Sequence, residues 1–200
     1  MEFRLTPQEK ALRDTIRANI DEFGADDMAA MRREMAALES DRQAPTVFNP
    51  WLVRQGIIGM SWREPYGRSA SQTESFIAHE ELDFAGMPIY GLQQAEAVGW
   101  MLATFGPPEL AAEHLPHILD ASWNYAGGYS EPDAGSDMLS LRTRATETPN
   151  GDFKVSGQKM WTSGAHVADW IFTLVRTEPD SARHRGLSLL MIDAHAPGVT

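Results

Sequence analysis

The stretch GYSEPDAGSD, residues 128–137, sets Glu131, Asp133 and Asp137 among two glycines and two serines. Three chemistries suit such a mix. Carboxylates at spacings of two and four can hold a hard cation. This spacing is not that of an EF-hand loop, however, and no glutamate closes it at the required distance. A surface turn rich in Gly, Pro, Asp and Ser needs no ligand at all. The third reading uses Ala134-Gly135-Ser136. A glycine lets backbone N–H groups approach a phosphate closely, and the serine hydroxyl adds a donor. These residues by themselves leave the last two readings open.

A second stretch, GQKMWTSGA at 157–165, bears on the choice. Trp161 and Ser163 stand two residues apart, so on a strand they share a face. An aromatic plane beside a hydroxyl suits a planar heterocycle that needs stacking and one hydrogen bond. The plainer reading is a core tryptophan next to a turn. Other chemistry-bearing residues carry less. His79, Glu80 and Glu81 are consecutive, so on a helix they point apart and cannot act together. A solvated or structurally paired face accounts for them, with Glu80 expected to be partly buried through its spacing from Phe76. His114, His117, His166, His184 and His195 have no metal-ligand spacing tied to a carboxylate scaffold, so no metal site is expected. The chain contains no G-x-S-x-G elbow, no P-loop and no G-x-G-x-x-G after a strand.

The elements that must position these residues fall into two blocks, 1–120 and 121–200. The first reads as helices. Thr6-Pro7-Gln8-Glu9 is a capping box with proline at the first helical position. Leu12, Ile16, Ile20 and Phe23 follow at helical spacing, and Met28, Met31, Met35 and Leu38 mark a second amphipathic stretch whose methionines suit core packing. A short helix is expected over 51–58, ending at Gly59, then a turn-rich loop over 61–71. Further helices are expected from Ser71 to Leu82, from Pro88 to Phe105 and from Pro108 to Leu119, with Gly106-Pro107-Pro108 as the stop between the last two. The second block alternates like strands at 141–148 and 152–156, with Asn150-Gly151 as a hairpin signal between them. Residues 168–176 and 186–193 read as apolar strands joined by a polar loop. Helices first and antiparallel strands after give an α+β order.

Composition sets the outer bounds. The 200 residues carry a net charge of −11, with 42% hydrophobic and 22% charged residues, as in ordinary soluble globular chains. That balance argues against nucleic acid, which requires a basic face, and against an anionic membrane surface. The absence of cysteine excludes disulfides, thiolate catalysis and zinc–sulfur sites, and fits a reducing, cytoplasmic setting. No apolar run reaches a membrane span, and MEFRLTPQEK has no apolar signal core, so no export signal is expected.

Taken together, YSEPDAGSD, LRTRA, GDFKVSGQKMWTSGAHVADWIF, RGLSLLMID and PGV resemble the middle domain of the acyl-CoA dehydrogenase family. LTPQEKALRDTIRANIDEF, GIIGMSWREPYGR and EELDFAGMP are similar to that family's helical domain. Among relatives, the pattern is most similar to bacterial dehydrogenases of unusual acyl-CoAs, such as pimeloyl or steroid side-chain thioesters. The resemblance implies an N-terminal all-helical domain (1–120), then an antiparallel, β-barrel-like middle domain (121–200). That domain would be incomplete, cut short before a C-terminal four-helix domain.

The resemblance also implies FAD. Gly127, Gly128, Tyr129, Ser130, Gly135 and Ser136 would line it. Ser130 would meet the pyrimidine end of the ring, and Gly135 and Ser136 the pyrophosphate. Trp161 would flank the isoalloxazine, with Thr162 beside it and Ser163 near N5. Ser136 and Gln94 would contact the acyl-CoA, with Leu92 and Gln93 helping to floor the acyl pocket. The carboxylates of the first motif would turn away and brace it, because a pyrophosphate would repel them. The implied reaction is α,β-dehydrogenation of the thioester, with electrons passed to an electron-transferring flavoprotein. The catalytic base is expected beyond Thr200, so no residue here is assigned that role. A homo- or hetero-oligomer is expected. A non-catalytic remnant or scaffold subunit, or a flavin monooxygenase or acyl-CoA oxidase on the same scaffold, are the alternatives. Three departures stand out. Serine occupies positions 130 and 163, where the family often has threonine. YGRSAS replaces a more glycine-rich loop, and Asp133 stands where glycine is frequent.

Overall fold

The computed structural model describes residues 4–38, 48–88, 90–181 and 183–200. They form two compact units, 1–124 and 125–200. No helix among the described residues is long and apolar enough to cross a membrane.

The first unit is helical: α1 (Pro7–Ala37), α2 (Phe48–Arg54), α3 (Gln72–Phe84), α4 (Tyr90–Phe105) and α5 (Pro108–Leu119). The Thr6 hydroxyl accepts from the Glu9 amide at 3.2 Å, and the Glu9 carboxylate accepts from the Thr6 amide at 2.7 Å. The two amphipathic stretches read from the sequence run on as α1, broken at Gly24, whose φ of 74° lies outside the helical region. Met31 is fully buried, as the packing reading of the methionines requires. α2 stops at Arg54, short of the expected Ile58, because Gly56 takes φ 64° and turns the chain. Ile57 and Ile58 are still buried, but on the turn that follows. Ser71 and Glu74 form a second capping box that starts α3.

Aromatic packing and two charged groups hold the bundle. Phe23 meets Trp51 edge-on at 5.1 Å, and Phe48 stacks on Trp51 at 5.9 Å. Trp62 is fully buried against two glycines. A Cβ on Gly99 would lie 2.1 Å from its Cζ2, and one on Gly59 would lie 2.9 Å from its Cε3. Arg17 forks onto Glu81 at 2.6 and 2.8 Å, tying α1 to α3. Glu81 is therefore the buried carboxylate of that helix, whereas Glu80, expected to be partly buried, is exposed. The rotation of α3 decides this, since only one of two consecutive residues can face α1.

The second unit is a five-stranded sheet: β1 (Tyr125–Gly128), β2 (Arg144–Glu147), β3 (Phe153–Ser156), β4 (Trp170–Arg176) and β5 (Leu187–Asp193). β2 and β3 form the hairpin expected around Asn150-Gly151, with Gly151 at φ 86°. β5 pairs antiparallel with all seven residues of β4. The other edge of β4 carries β1 over 170–173 and β2 at Arg176, both parallel.

The α+β class holds, but the sheet is mixed and open rather than wholly antiparallel. Its parallel pairs, β1 with β4 and β2 with β4, join strands that are not neighbours in sequence, so no tight turn fixes their direction. Hairpins force antiparallel pairing only between neighbours in sequence. β1 is not announced by the sequence, because Gly127-Gly128 reads as a strand breaker. Its reason is spatial: a Cβ on Gly128 would sit 3.0 Å from Thr173 Oγ1 and 3.2 Å from Ile171 Cγ2.

Candidate functional site

The site is built where β1 ends. Past Gly128 comes Tyr129, whose ring meets Phe172 edge-on at 6.2 Å. A tight turn follows. The Glu131 amide donates to the Ala134 carbonyl at 2.8 Å, and the Ala134 amide donates back to the Glu131 carbonyl at 3.2 Å. Ala134 is buried, while Gly135 and Ser136 are exposed on the outer side. A Cβ placed on Gly135 would meet nothing within 4 Å.

The three carboxylates diverge. Glu131 turns inward and is 8% exposed. It accepts from the Arg142 amide at 2.6 Å, the Thr143 amide at 2.8 Å and Lys159 Nζ at 2.9 Å. Asp133 pairs with Arg142 at 3.3 Å, and Asp137 with Arg183 at 3.3 Å. Each is spent on a different partner. Among the described residues, no group of three or more His, Cys, Asp or Glu side chains is arranged to hold a metal ion. Burial pushes the Glu131 carboxyl upward, but hydrogen bonds from Thr143, the Arg142 amide and Lys159 outweigh it and hold it at about 2.

The second motif comes to the same place. Lys159 Nζ donates to the Tyr129 carbonyl at 3.0 Å as well as to Glu131. The Met160 amide donates to the Ser130 carbonyl at 2.8 Å. The next residue, Trp161, has φ 57° and is 83% exposed. The Ser163 amide then donates to the Trp161 carbonyl at 2.9 Å, Gly164 takes φ 79°, and a 3-10 turn runs over Ala165–Val167.

Trp161 and Ser163 are therefore not on a strand, and the shared-face argument from their spacing does not apply. β3 ends at Ser156, and the chain leaves the extended region at Trp161, where φ is 57°. The plain reading of a core tryptophan fails as well, since the ring stands in solvent. A bulky residue held in the left-handed region is uncommon, and this one is also an exposed tryptophan.

The structure thus ties Tyr129 and Ser130, through the Lys159 side chain and the Met160 amide, to the two residues that precede Trp161. Gly127 and Gly128 lie in β1, where Gly128 lets β4 approach. Thr162 is half-buried and Ser163 exposed. Gln94 is half-buried on α4 in the helical unit, while the side chains of Leu92 and Gln93 lie outside the described residues. The helical unit has its own groove of about 640 Å³ with Phe76, His79, Glu96 and Trp100 among its lining, and Gln94 is not part of it. Sequence reasoning missed Lys159. It lies 28 residues from its partner Glu131, and only its place inside a polar motif hints at a role.

A cofactor with a flat ring and a phosphate arm fits these residues. Trp161 projects into solvent one residue past the Ser130 contact, and Gly135 lies open beside the exposed Ser136. Comparison with known proteins gives the family. Residues 6–122 match the acyl-CoA dehydrogenase N-terminal domain, and residues 126–200 match the acyl-CoA dehydrogenase middle domain. The chain is 38% identical over 172 residues to the acyl-CoA dehydrogenase IpdE1 of Mycobacterium tuberculosis, covering 84% of this chain and 43% of that protein. The fold matches the ChsE4–ChsE5 complex of Mycobacterium tuberculosis with a TM-score of 0.78 at 30% identity, over 99% of this chain and 50% of the other. It also matches a glutaryl-CoA dehydrogenase of Mycobacterium smegmatis in complex with FADH2, with a TM-score of 0.70 at 21% identity, over 97% of this chain and 47% of the other, a likeness of fold. The chain spans about half or less of the length of these relatives. With both blocks matched in order and the two motifs joined in one site, the chain belongs to the acyl-CoA dehydrogenase family.

Proposed function

We propose that this chain provides the FAD-binding and part of the acyl-CoA-binding surface of an enzyme that dehydrogenates an acyl-CoA thioester at its α,β bond. The observation that carries the reading is the Met160–Ser130 hydrogen bond of 2.8 Å, which sets the exposed Trp161 beside Ser130. In this reading Ser130 holds the pyrimidine edge of the ring, and Trp161 flanks its face with Thr162 and Ser163 alongside. Gly127, Gly128 and Tyr129 line the approach, while Gly135 and Ser136 receive the pyrophosphate. Ser136 and Gln94 contact the acyl-CoA. The flavin supplies the hydride acceptor.

The work of the chain's own residues is orientation. A carboxylate removes the α-proton, and loss of that proton with the β-hydride leaves the double bond. No residue of this chain is assigned as that base. The three carboxylates of the first motif are engaged elsewhere, and Glu81 is buried under Arg17. The acyl group belongs to the unusual side-chain thioesters that the sequence resemblance points to. Electrons pass on to an electron-transferring flavoprotein, and the working form is an oligomer, as in the two-protein ChsE4–ChsE5 relative.

The test is the visible absorption spectrum of the purified protein after FAD has been added and the excess removed by gel filtration. A retained flavin band that bleaches anaerobically with an acyl-CoA supports the reading. A protein that retains no flavin, alone or with its partner chain, overturns it. Rapid oxygen consumption with substrate assigns an oxidase or monooxygenase instead.

A further inference from the structure

Behind the exposed residues of the site lies an ion pair that no ligand would touch. The side chains of Glu131 and Lys159 are 7% and 11% exposed and 2.9 Å apart. Together they bind three segments of the chain. The Glu131 carboxylate takes the amides of Arg142 and Thr143, at the start of the run into β2. Lys159 Nζ donates to the Tyr129 carbonyl at 3.0 Å. The next residue, Met160, is pinned to Ser130 at 2.8 Å, and the one after it is the left-handed Trp161. Gly157, two residues before the lysine, packs so closely that a Cβ there would lie 2.7 Å from Thr143 Cα. These hydrogen bonds between the two motifs all lie in this pair or within two residues of it.

We infer that Glu131 and Lys159 are positioning residues that set the separation of Ser130 and Trp161, and thereby govern how tightly and in what orientation the flavin ring is held. This role rests on the flavin reading given above. Its physical basis is that a buried ion pair cannot lose one member quietly. With Lys159 removed, a buried carboxylate loses its only cationic partner in the pair and the Tyr129 carbonyl loses the lysine donor. The segment that carries Met160 and Trp161 is then free to drift from Ser130. A stack and a hydrogen bond made by two separate segments depend on that separation to within about half an ångström.

The experiment compares the native holoprotein with Lys159→Met, Lys159→Arg and Glu131→Gln. Three quantities are read: the FAD dissociation constant, the visible circular dichroism of bound flavin, and hydrogen exchange at the Met160 amide against the β4–β5 amides. Lys159→Met is expected to weaken FAD by about ten- to a hundredfold, the range seen when supporting hydrogen bonds around an ordered site are removed. It is also expected to alter the flavin dichroism and to speed exchange at Met160 while β4 and β5 keep their protection. Lys159→Arg restores most of the affinity. Should Glu131→Gln fail to fold, the lysine variants carry the test alone. Wild-type affinity and dichroism in Lys159→Met would confine the pair to a stabilising role and overturn the inference. Unchanged exchange at Met160 would overturn it too. A wild-type protein that binds no flavin overturns the flavin reading and this role with it, a result distinct from equal binding by wild type and variant.

Discussion

Acid should loosen the strand unit through one carboxyl. Glu131 is buried and held at about 2, against an ordinary 4.5. The folded group titrates below the unfolded one. Its stabilisation is therefore complete above about pH 5 and is lost as the pH falls toward 2. The gap corresponds to about 3 kcal/mol at about 1.4 kcal/mol for each tenfold change in proton affinity. By pH 3 about 2 kcal/mol of that has gone. Other carboxylates also titrate in this range, so the comparison must isolate this one. Glu131→Gln does so, because glutamine has no proton to gain. Urea unfolding followed on the NMR signals of the β4 and β5 amides reads the strand unit at each pH. The stability difference between wild type and Glu131→Gln should be constant from pH 8 to about 5, then narrow by about 2 kcal/mol at pH 3. A difference that stays the same down to pH 3 would show that the carboxyl is not held low, and the buried-clamp reasoning would fail with it.

Two glycines of the site should answer substitution oppositely. Gly157→Ala sets a methyl 2.3 Å from Thr143 Oγ1 and 2.7 Å from its Cα. It should cost about 1–3 kcal/mol in thermal or urea unfolding, as overpacking does. Gly135→Ala meets nothing within 4 Å, so its unfolding midpoint should hold or rise slightly while FAD retention falls, because the methyl takes space the phosphates need. Trp161→Gly relieves a left-handed backbone but adds unfolded-chain entropy, terms of about 1 kcal/mol each and opposite in sign, so stability should move by less than about 1 kcal/mol. Its FAD dissociation constant should rise about two- to tenfold, the worth of one aromatic stack. Wild-type affinity in that variant would remove the indole from the site.

What the sequence determined by itself is what short-range physics decides. Thr6 and Glu9 announce the start of α1 because a capping box is closed within four residues. Gly106-Pro107-Pro108 separates α4 from α5 for reasons internal to the tripeptide. Asn150-Gly151 places the β2–β3 turn because the left-handed conformation it needs is local. The two motifs were legible as an unusual density of glycine, hydroxyl and aromatic residues.

Only the tertiary structure decided the rest. β1 is a strand because β4 comes alongside it and Gly128 leaves room for Thr173, a condition set more than forty residues away. Periodicity put Trp161 and Ser163 on one strand face, but the chain leaves the extended region at Trp161, so a rule of alternation had nothing to act on. Between Glu80 and Glu81 the packing of α3 on α1 made the choice. The meeting of Glu131 with Lys159, 28 residues apart, follows from burial. A carboxylate that turns inward must find donors wherever the fold brings them, and no local pattern records which ones those will be.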